Sequence, residues 1–187
     1  MPAQTHAAVI NGIDVEALLG AIAAIEANPA EGATTWKVTS RWNGGTRTDH
    51  FVDGFTMGGN KVDRHFQIQI DEPKELCGTD QFANPQEYLL AATNACMMVG
   101  YSAVAALMGI ELSKLEIEIS GDIDLQGFLN INQAVAPGYE RLHYVVHLAG
   151  NATAEQLEQL HATVQRTSPN YYNISNPIEL TCDLIVE

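Results

Sequence analysis

The chain has 187 residues, enough for one good-sized domain, and its 9 Lys and Arg against 23 Asp and Glu give a formal charge of −14. That charge disfavours nucleic acid and anionic membrane surfaces as partners, and 46% hydrophobic with 17% charged residues excludes a disordered chain. Three cysteines make no disulfide framework and no apolar signal segment opens the chain, so a reducing cytoplasm is the expected compartment.

Residues 1–12 are small, polar and expected to be loose. Asp14–Ala27 reads as an amphipathic helix with Val15, Leu18, Leu19, Ile22 and Ile25 on one side, Asp14 as N-cap and Asn28-Pro29 as its stop. An acidic linker to Thr35 follows. Trp36 to Trp42, Thr46 to Val52 and a strand through Phe66, Ile68 and Ile70 make a β region, with a hairpin turn at Asn43-Gly44-Gly45 and a glycine-rich loop at 57–60. A loop over 71–83 leads to Asn84-Pro85, which opens a helix running to about Met108. Two alternating segments follow: Leu115, Ile117, Ile119, Ile123 and Leu125, then Leu142, Tyr144, Val146 and Leu148. The loop between them is 126–138. Thr153 and Gln156 form a capping box for a helix to Thr167, where Pro169 stops it. A last strand is predicted from Ile178, with Leu180, Cys182, Leu184 and Val186 on one face. The order is α-βββ-α-ββ-α-β: residues 1–35 as an N-terminal helix and linker, and 36–187 as one α+β domain.

Tyr88–Ile110 is a run of 23 residues without a formal charge. Its length would span a bilayer. However, it is alanine-rich, holds Thr93, Asn94 and Ser102, and is flanked by Glu87 and Glu111 with no basic residue to set orientation. The expectation is therefore a buried helix and no membrane partner. One chain of this size has little with which to cover it on all sides, so a second copy packed helix to helix is expected.

Cys96 lies inside that helix. A buried helical cysteine is ordinarily a small inert hydrophobe. A reactive role would need a cation brought from elsewhere, since the helix dipole fades within its first turn. An arginine about 4 Å away contributes at most ~4 kcal/mol at an effective dielectric near 20. Arg41, Arg47, Arg64 and Arg166 stand near element ends. Cys182 reads as core and Cys77 as an exposed loop thiol. His143 and His147 share a strand face and read as solvated. No cysteine pair or histidine cluster has ligand spacing, so no metal and no cofactor are expected.

Leu76-Cys77-Gly78-Thr79-Asp80, then the run from Asn84-Pro85-Gln86-Glu87 to Asn94-Ala95-Cys96, resembles the OsmC/Ohr family. The element order and Ser168-Pro169 with Ser175-Asn176-Pro177 agree, and the resemblance covers roughly residues 36–187. The extra N-terminal helix resembles one branch of that family. The resemblance implies an intertwined homodimer, with two central helices wrapped by sheets. It further implies thiol-dependent reduction of small organic hydroperoxides, in which a thiolate attacks the peroxide and leaves a sulfenic acid. Carried onto this sequence, Cys96 is the nucleophile, Arg47 the thiolate stabiliser (Arg41 the second candidate) and Glu87 the orienting carboxylate. Met97, Tyr171, Tyr172 and Ser168 are expected on the substrate side.

Two positions depart from the family pattern. The second cysteine is replaced by Ser168, and the glutamate ten residues before the nucleophile by Gln86. Resolution of a sulfenate then falls to an external thiol reductant or to Cys77. Ten residues of helix separate Gln86 from Cys96 by about 15 Å, so either Gln86 or Glu87 would serve Cys96 only across a dimer. The competing reading is a catalytically degenerate module that binds a small apolar ligand at the dimer interface.

Overall fold

The structure, a computed structural model, describes residues 9–187, and the chain divides into two compact units between Leu89 and Leu90. The fold mixes α and β, as expected. Of the segment expected to be loose, residues 1–8 lie outside the described residues. In the N-terminal unit, β1 (Val9–Ile10) and β2 (Ile13–Asp14) form a small antiparallel hairpin instead of loose chain. Helix α1 (Val15–Ala27) begins where its N-cap predicts, because Asp14 accepts the Ala17 N–H at 3.0 Å. The Asn28 N–H bonds Ala24 O at 2.9 Å, and a 3-10 turn at Pro29–Gly32 follows. No residue of α1 is fully buried.

The sheet of this unit is antiparallel. Strand β5 (Thr48–Met57) pairs with β6 (Asn60–Ile70) on one edge and with β3 (Thr34–Trp36) and β4 (Thr39–Trp42) on the other. The single strand expected over Trp36–Trp42 is thus two, laid end to end. The break lies opposite an irregularity in the β5–β6 pairing. Trp36 pairs with Phe55 and Thr39 with Phe51, and the β5–β6 register shifts between Val52 and Gly54. Arg64 and His65 of β6 stand opposite the single Asp53 of β5 there, a β-bulge. Gly54 is required at the bulge: a Cβ would come within 2.4 Å of Val62 O. The loop expected at 57–60 is a tight turn, with φ +55° at Gly58 and +79° at Gly59 extending the hairpin.

Helix α2 (Pro85–Leu107) matches the expected charge-free helix. In the C-terminal unit it packs on an antiparallel pair, β7 (Leu112–Gly121) and β8 (Leu142–Gly150), and on α4 (Ala154–Thr167). The alternation expected through Leu125 stops at Gly121, and a short α3 (Leu125–Phe128) takes its place. Thr93, Met97, Tyr101 and Ala105 recur every four residues and form the buried stripe of α2. Met97, Tyr101 and Ala105 join Ile110, Ile117, Leu160 and Val164 in the core. Gly100 permits the close α2–α4 approach, since a Cβ there would lie 3.2 Å from Val164 Cγ1. The capping box is present: the Thr153 N–H bonds Gln156 Oε1 at 2.9 Å, and the Gln156 N–H bonds Thr153 Oγ1 at 3.3 Å. After α4, Ser168 and Pro169 open a further helix, α5 (Pro169–Ser175).

One expectation fails. No strand forms over 178–186, where Leu180, Leu184 and Val186 are 85–91% exposed, and Cys182 is exposed instead of core. The alternating pattern is real, but a strand exists only against an edge, and within one chain this segment takes none. Helix α2, whose all-round burial is expected only with a second copy, buries one stripe within this chain and leaves Val99 68% exposed. It is long and apolar enough to cross a membrane by length and composition, yet its Met97–Tyr101–Ala105 stripe is the core of the unit.

That core makes a direct prediction. Leu160→Ala should lower the unfolding free energy by ~2–5 kcal/mol in urea titration, because a fully buried side chain leaves a cavity. An unchanged midpoint would mean that the α2–α4 contact is not a stabilising core.

Candidate active site

Cys96 precedes buried Met97 by one residue, about 100° around the helix. The thiol therefore lies at the margin of the buried stripe and is half-buried. Its partner comes from the α4–α5 junction. The Ser168 N–H completes α4 by bonding Val164 O at 2.8 Å, and Pro169, which has no N–H, starts α5. Ser168 then caps α5: its Oγ accepts the Tyr171 N–H at 3.4 Å and donates its proton to Cys96 Sγ at 3.5 Å. Ser168 is buried. Asn170 ties the same junction to α2, its Nδ2 donating to Ala92 O at 2.9 Å.

The substrate-side residues separate. Ser168 touches the sulfur. Tyr171 is half-buried nearby on α5, its ring edge-on to Tyr144 with centroids 6.2 Å apart. Tyr172 is 63% exposed. Met97 has no exposed surface and belongs to the core, not to a substrate wall. Deeper in the unit, Tyr101 bonds His161 Nδ1, and burial pushes the Tyr101 phenol far above its ordinary range. Gln165 donates to the Tyr144 hydroxyl. A groove of about 610 Å³ runs between β8 and α4, lined by Tyr144, Val146, Leu157 and His161 among others.

Arg47, Arg41, Glu87 and Cys77 lie in the N-terminal unit. Arg47 closes the β4–β5 turn: the Asn43 N–H bonds Arg47 O at 2.8 Å, and the Arg47 N–H bonds Gly44 O at 3.2 Å. Its guanidinium stands over the Phe82 ring, 5.8 Å from the centroid. Arg41, the second candidate, stands over Phe51 at 5.1 Å. Glu87 completes a capping box for α2. Its Oε2 accepts the Asn84 N–H at 2.7 Å, and Asn84 Oδ1 accepts the Glu87 N–H at 2.9 Å. That is a helix-start role, with the second carboxylate oxygen left over for an orienting one. Cys77 is exposed, at φ +64° after the 3-10 turn Lys74–Leu76. His143 and His147 share the outward face of β8, where His147 Nε2 lies 3.6 Å from Glu118. Among the described residues no group of three or more His, Cys, Asp or Glu could hold a metal ion.

Nothing in the sequence pattern marks Asp71. It follows β6 directly and is completely buried. Its Oδ1 accepts from the Thr46 hydroxyl at 2.7 Å, and its Oδ2 accepts from the Thr79 N–H at 3.0 Å, from the Thr79 hydroxyl and from the Gln81 N–H at 3.5 Å. The Thr46 and then the Thr79 hydroxyl hold this carboxyl well below the usual carboxylate range. Thr46 is 25 residues away in sequence, so no local pattern announces the contact.

A family model described as OsmC-like protein matches residues 78–183, more than half of the chain. The chain belongs to the OsmC-like family. Several solved structures share its fold at low identity. An OsmC-like protein from Mycoplasma pneumoniae superposes with a TM-score of 0.59 at 15% identity, covering 75% of this chain and 87% of that one. An OsmC-like protein of unknown function from Vibrio cholerae gives 0.53 at 15% identity, covering 73% and 91%. A putative osmotic stress induced and detoxification response protein from Psychrobacter arcticus gives 0.52 at 19%, covering 75% and 87%. No curated protein matches the chain. The OsmC-like match includes Cys96 and Ser168, so the sulfur–hydroxyl pair lies within the shared domain.

The contact is testable by itself. Ser168→Ala should slow alkylation of Cys96 by iodoacetamide at neutral pH about 3- to 10-fold, the equivalent of one hydrogen bond. An unchanged rate would show that the hydroxyl does not act on the sulfur.

Proposed function

We propose that this chain is a thiol-dependent peroxidase for small organic hydroperoxides, with Cys96 as its nucleophile. Membership of the OsmC-like family supports a peroxide-related redox role. The observation that carries the finer reading is the half-exposed Cys96 sulfur held by a buried hydroxyl donor.

The steps balance. The Cys96 thiolate attacks the terminal peroxide oxygen, the O–O bond breaks, and the alkoxide leaves and takes a proton to become the alcohol. Sulfur is oxidised to the sulfenic acid. A thiol reductant then displaces water to form a mixed disulfide, and a second equivalent regenerates the Cys96 thiol. Ser168 has no sulfur with which to close an intramolecular disulfide, so an external thiol takes the resolving step. Cys77→Ser is expected to leave turnover with such a thiol unchanged. Arg47 is the stabiliser of the thiolate and Glu87 the orienting carboxylate in this reading, and Tyr171 and Tyr172 flank the substrate. A reducing cytoplasm would keep Cys77, Cys96 and Cys182 as the free thiols they are here.

Peroxide consumption with a dithiol reductant tests it. Wild type should consume cumene hydroperoxide at least a hundredfold faster than Cys96→Ser. Equal background rates would leave the alternative, an inert fold that binds a small apolar ligand. In Ser168→Cys, oxidation should join the introduced thiol to Cys96 in a disulfide, visible by mass as the loss of two hydrogens, because the Ser168 oxygen already stands 3.5 Å from the sulfur. Two free thiols after oxidation would contradict the site geometry.

The unit of function in this reading is a homodimer. The exposed Leu180, Leu184 and Val186 lie on an alternating segment that bonds no strand among the described residues, and the β7–β8 pair has open edges there. Both features call for cover by a second copy. Sedimentation should give twice the chain mass, and removal of residues 178–187 should give the single mass. A wild-type monomer at micromolar concentration would overturn the dimer.

A further inference from the structure

Among the described residues, Asp71 is the one charged side chain with no exposed surface. No cation touches it there: its partners are two threonine hydroxyls and two backbone amides. A carboxylate buried in this way persists only if its donors are held in place, and it holds them in turn. Those donors come from two separate segments. Thr46 lies in the β4–β5 turn, beside Arg47. Thr79 and Gln81 lie in the loop before α2, beside Phe82. Arg47 and Phe82 are themselves stacked, so the guanidinium rests on the loop that Asp71 fastens to its own turn. The Asp71 backbone adds a further stitch, its N–H bonding Ala83 O at 3.4 Å.

We propose that Asp71 is a positioning residue, which clamps the 43–47 turn to the 79–83 loop and so fixes where the Arg47 guanidinium stands. This rests on the reading of Arg47 as the stabiliser of the Cys96 thiolate, and it adds a residue that the reaction itself does not touch. The clamp joins groups on both sides of Arg47: the preceding residue through Asp71 Oδ1, and its stacking partner's loop through Oδ2. Loss of the carboxylate frees both at once. Asparagine at 71 keeps the shape but puts an amide donor against the donors it faces, so one set is left unpaired.

Asp71→Asn is the primary variant, and Thr46→Val is a second that removes one hydroxyl and leaves the carboxylate. Two readouts are taken. In both variants, hydrogen exchange at the Asn43 and Arg47 amides should speed up at least tenfold, under conditions where the protein remains folded. The pH profile of Cys96 alkylation should move to higher pH, in the direction that Arg47→Ala moves it. Thr46→Ser, which keeps the hydroxyl, should retain wild-type behaviour in both. The proposal is overturned if exchange at these amides is unchanged, or if Arg47→Ala moves the profile while Asp71→Asn and Thr46→Val do not. If Arg47→Ala itself leaves the profile unmoved, the thiolate reading of Arg47 fails separately, and the exchange result decides whether Asp71 holds the turn.

Discussion

The position of the Cys96 sulfur is set by how α2 seats on its own core. Met97, Tyr101, Leu160 and Val164 have no exposed surface. Each contributes on the order of 1.5–3 kcal/mol by burial, against about 1 kcal/mol for one hydrogen bond to sulfur. The core therefore dictates the rotation of the helix, and the thiol contact follows from it. With Met97 directed inward, the preceding residue stands at the edge of the stripe. There a thiol is neither sealed in hydrocarbon nor free in water. A one-residue slip in either direction would lose that position.

The second half of the site follows from how α4 ends. Proline at 169 cannot continue the hydrogen-bond ladder of α4 but begins a helix well. The serine before it is thus forced to be both the end of one helix and the cap of the next. Capping commits its oxygen to the Tyr171 N–H and leaves its proton for Cys96. A cysteine at this position would place a second sulfur beside the first, whereas serine places a donor there. The same backbone thus supports two different chemistries according to one atom. The N-terminal unit uses a comparable economy, with a single buried carboxylate joining the turn that carries Arg47 to the loop that carries its ring partner.

Much of this is legible in the chain. Asp14, Asn84 with Glu87, and Thr153 with Gln156 start helices because capping is local chemistry written within four residues. The charge-free run and its Asn84-Pro85 opening locate α2 and the cysteine on it. What is not legible depends on partners distant in sequence. The alternation at Ile178–Val186 reads as a strand, but a strand also needs an edge to pair with, and this segment pairs with none. The break between β3 and β4 lies opposite a register shift in the β5–β6 pairing, across the sheet. Met97 sits next to Cys96 in sequence, yet helical geometry turns it inward. Asp71 looks like an acidic residue at a strand end, and only the folded chain surrounds it with Thr46 and Thr79.

Cys96, out of three free thiols, is the one that peroxide should oxidise. The direct measurement is to treat the reduced protein with one equivalent of an organic hydroperoxide in the presence of a sulfenate-trapping dione, and to map the adduct by mass spectrometry. An adduct on Cys96 is predicted, with exposed Cys77 and Cys182 unmodified although both are open to solvent. Labelling that follows exposure, at Cys77 and Cys182 with Cys96 spared, would contradict it.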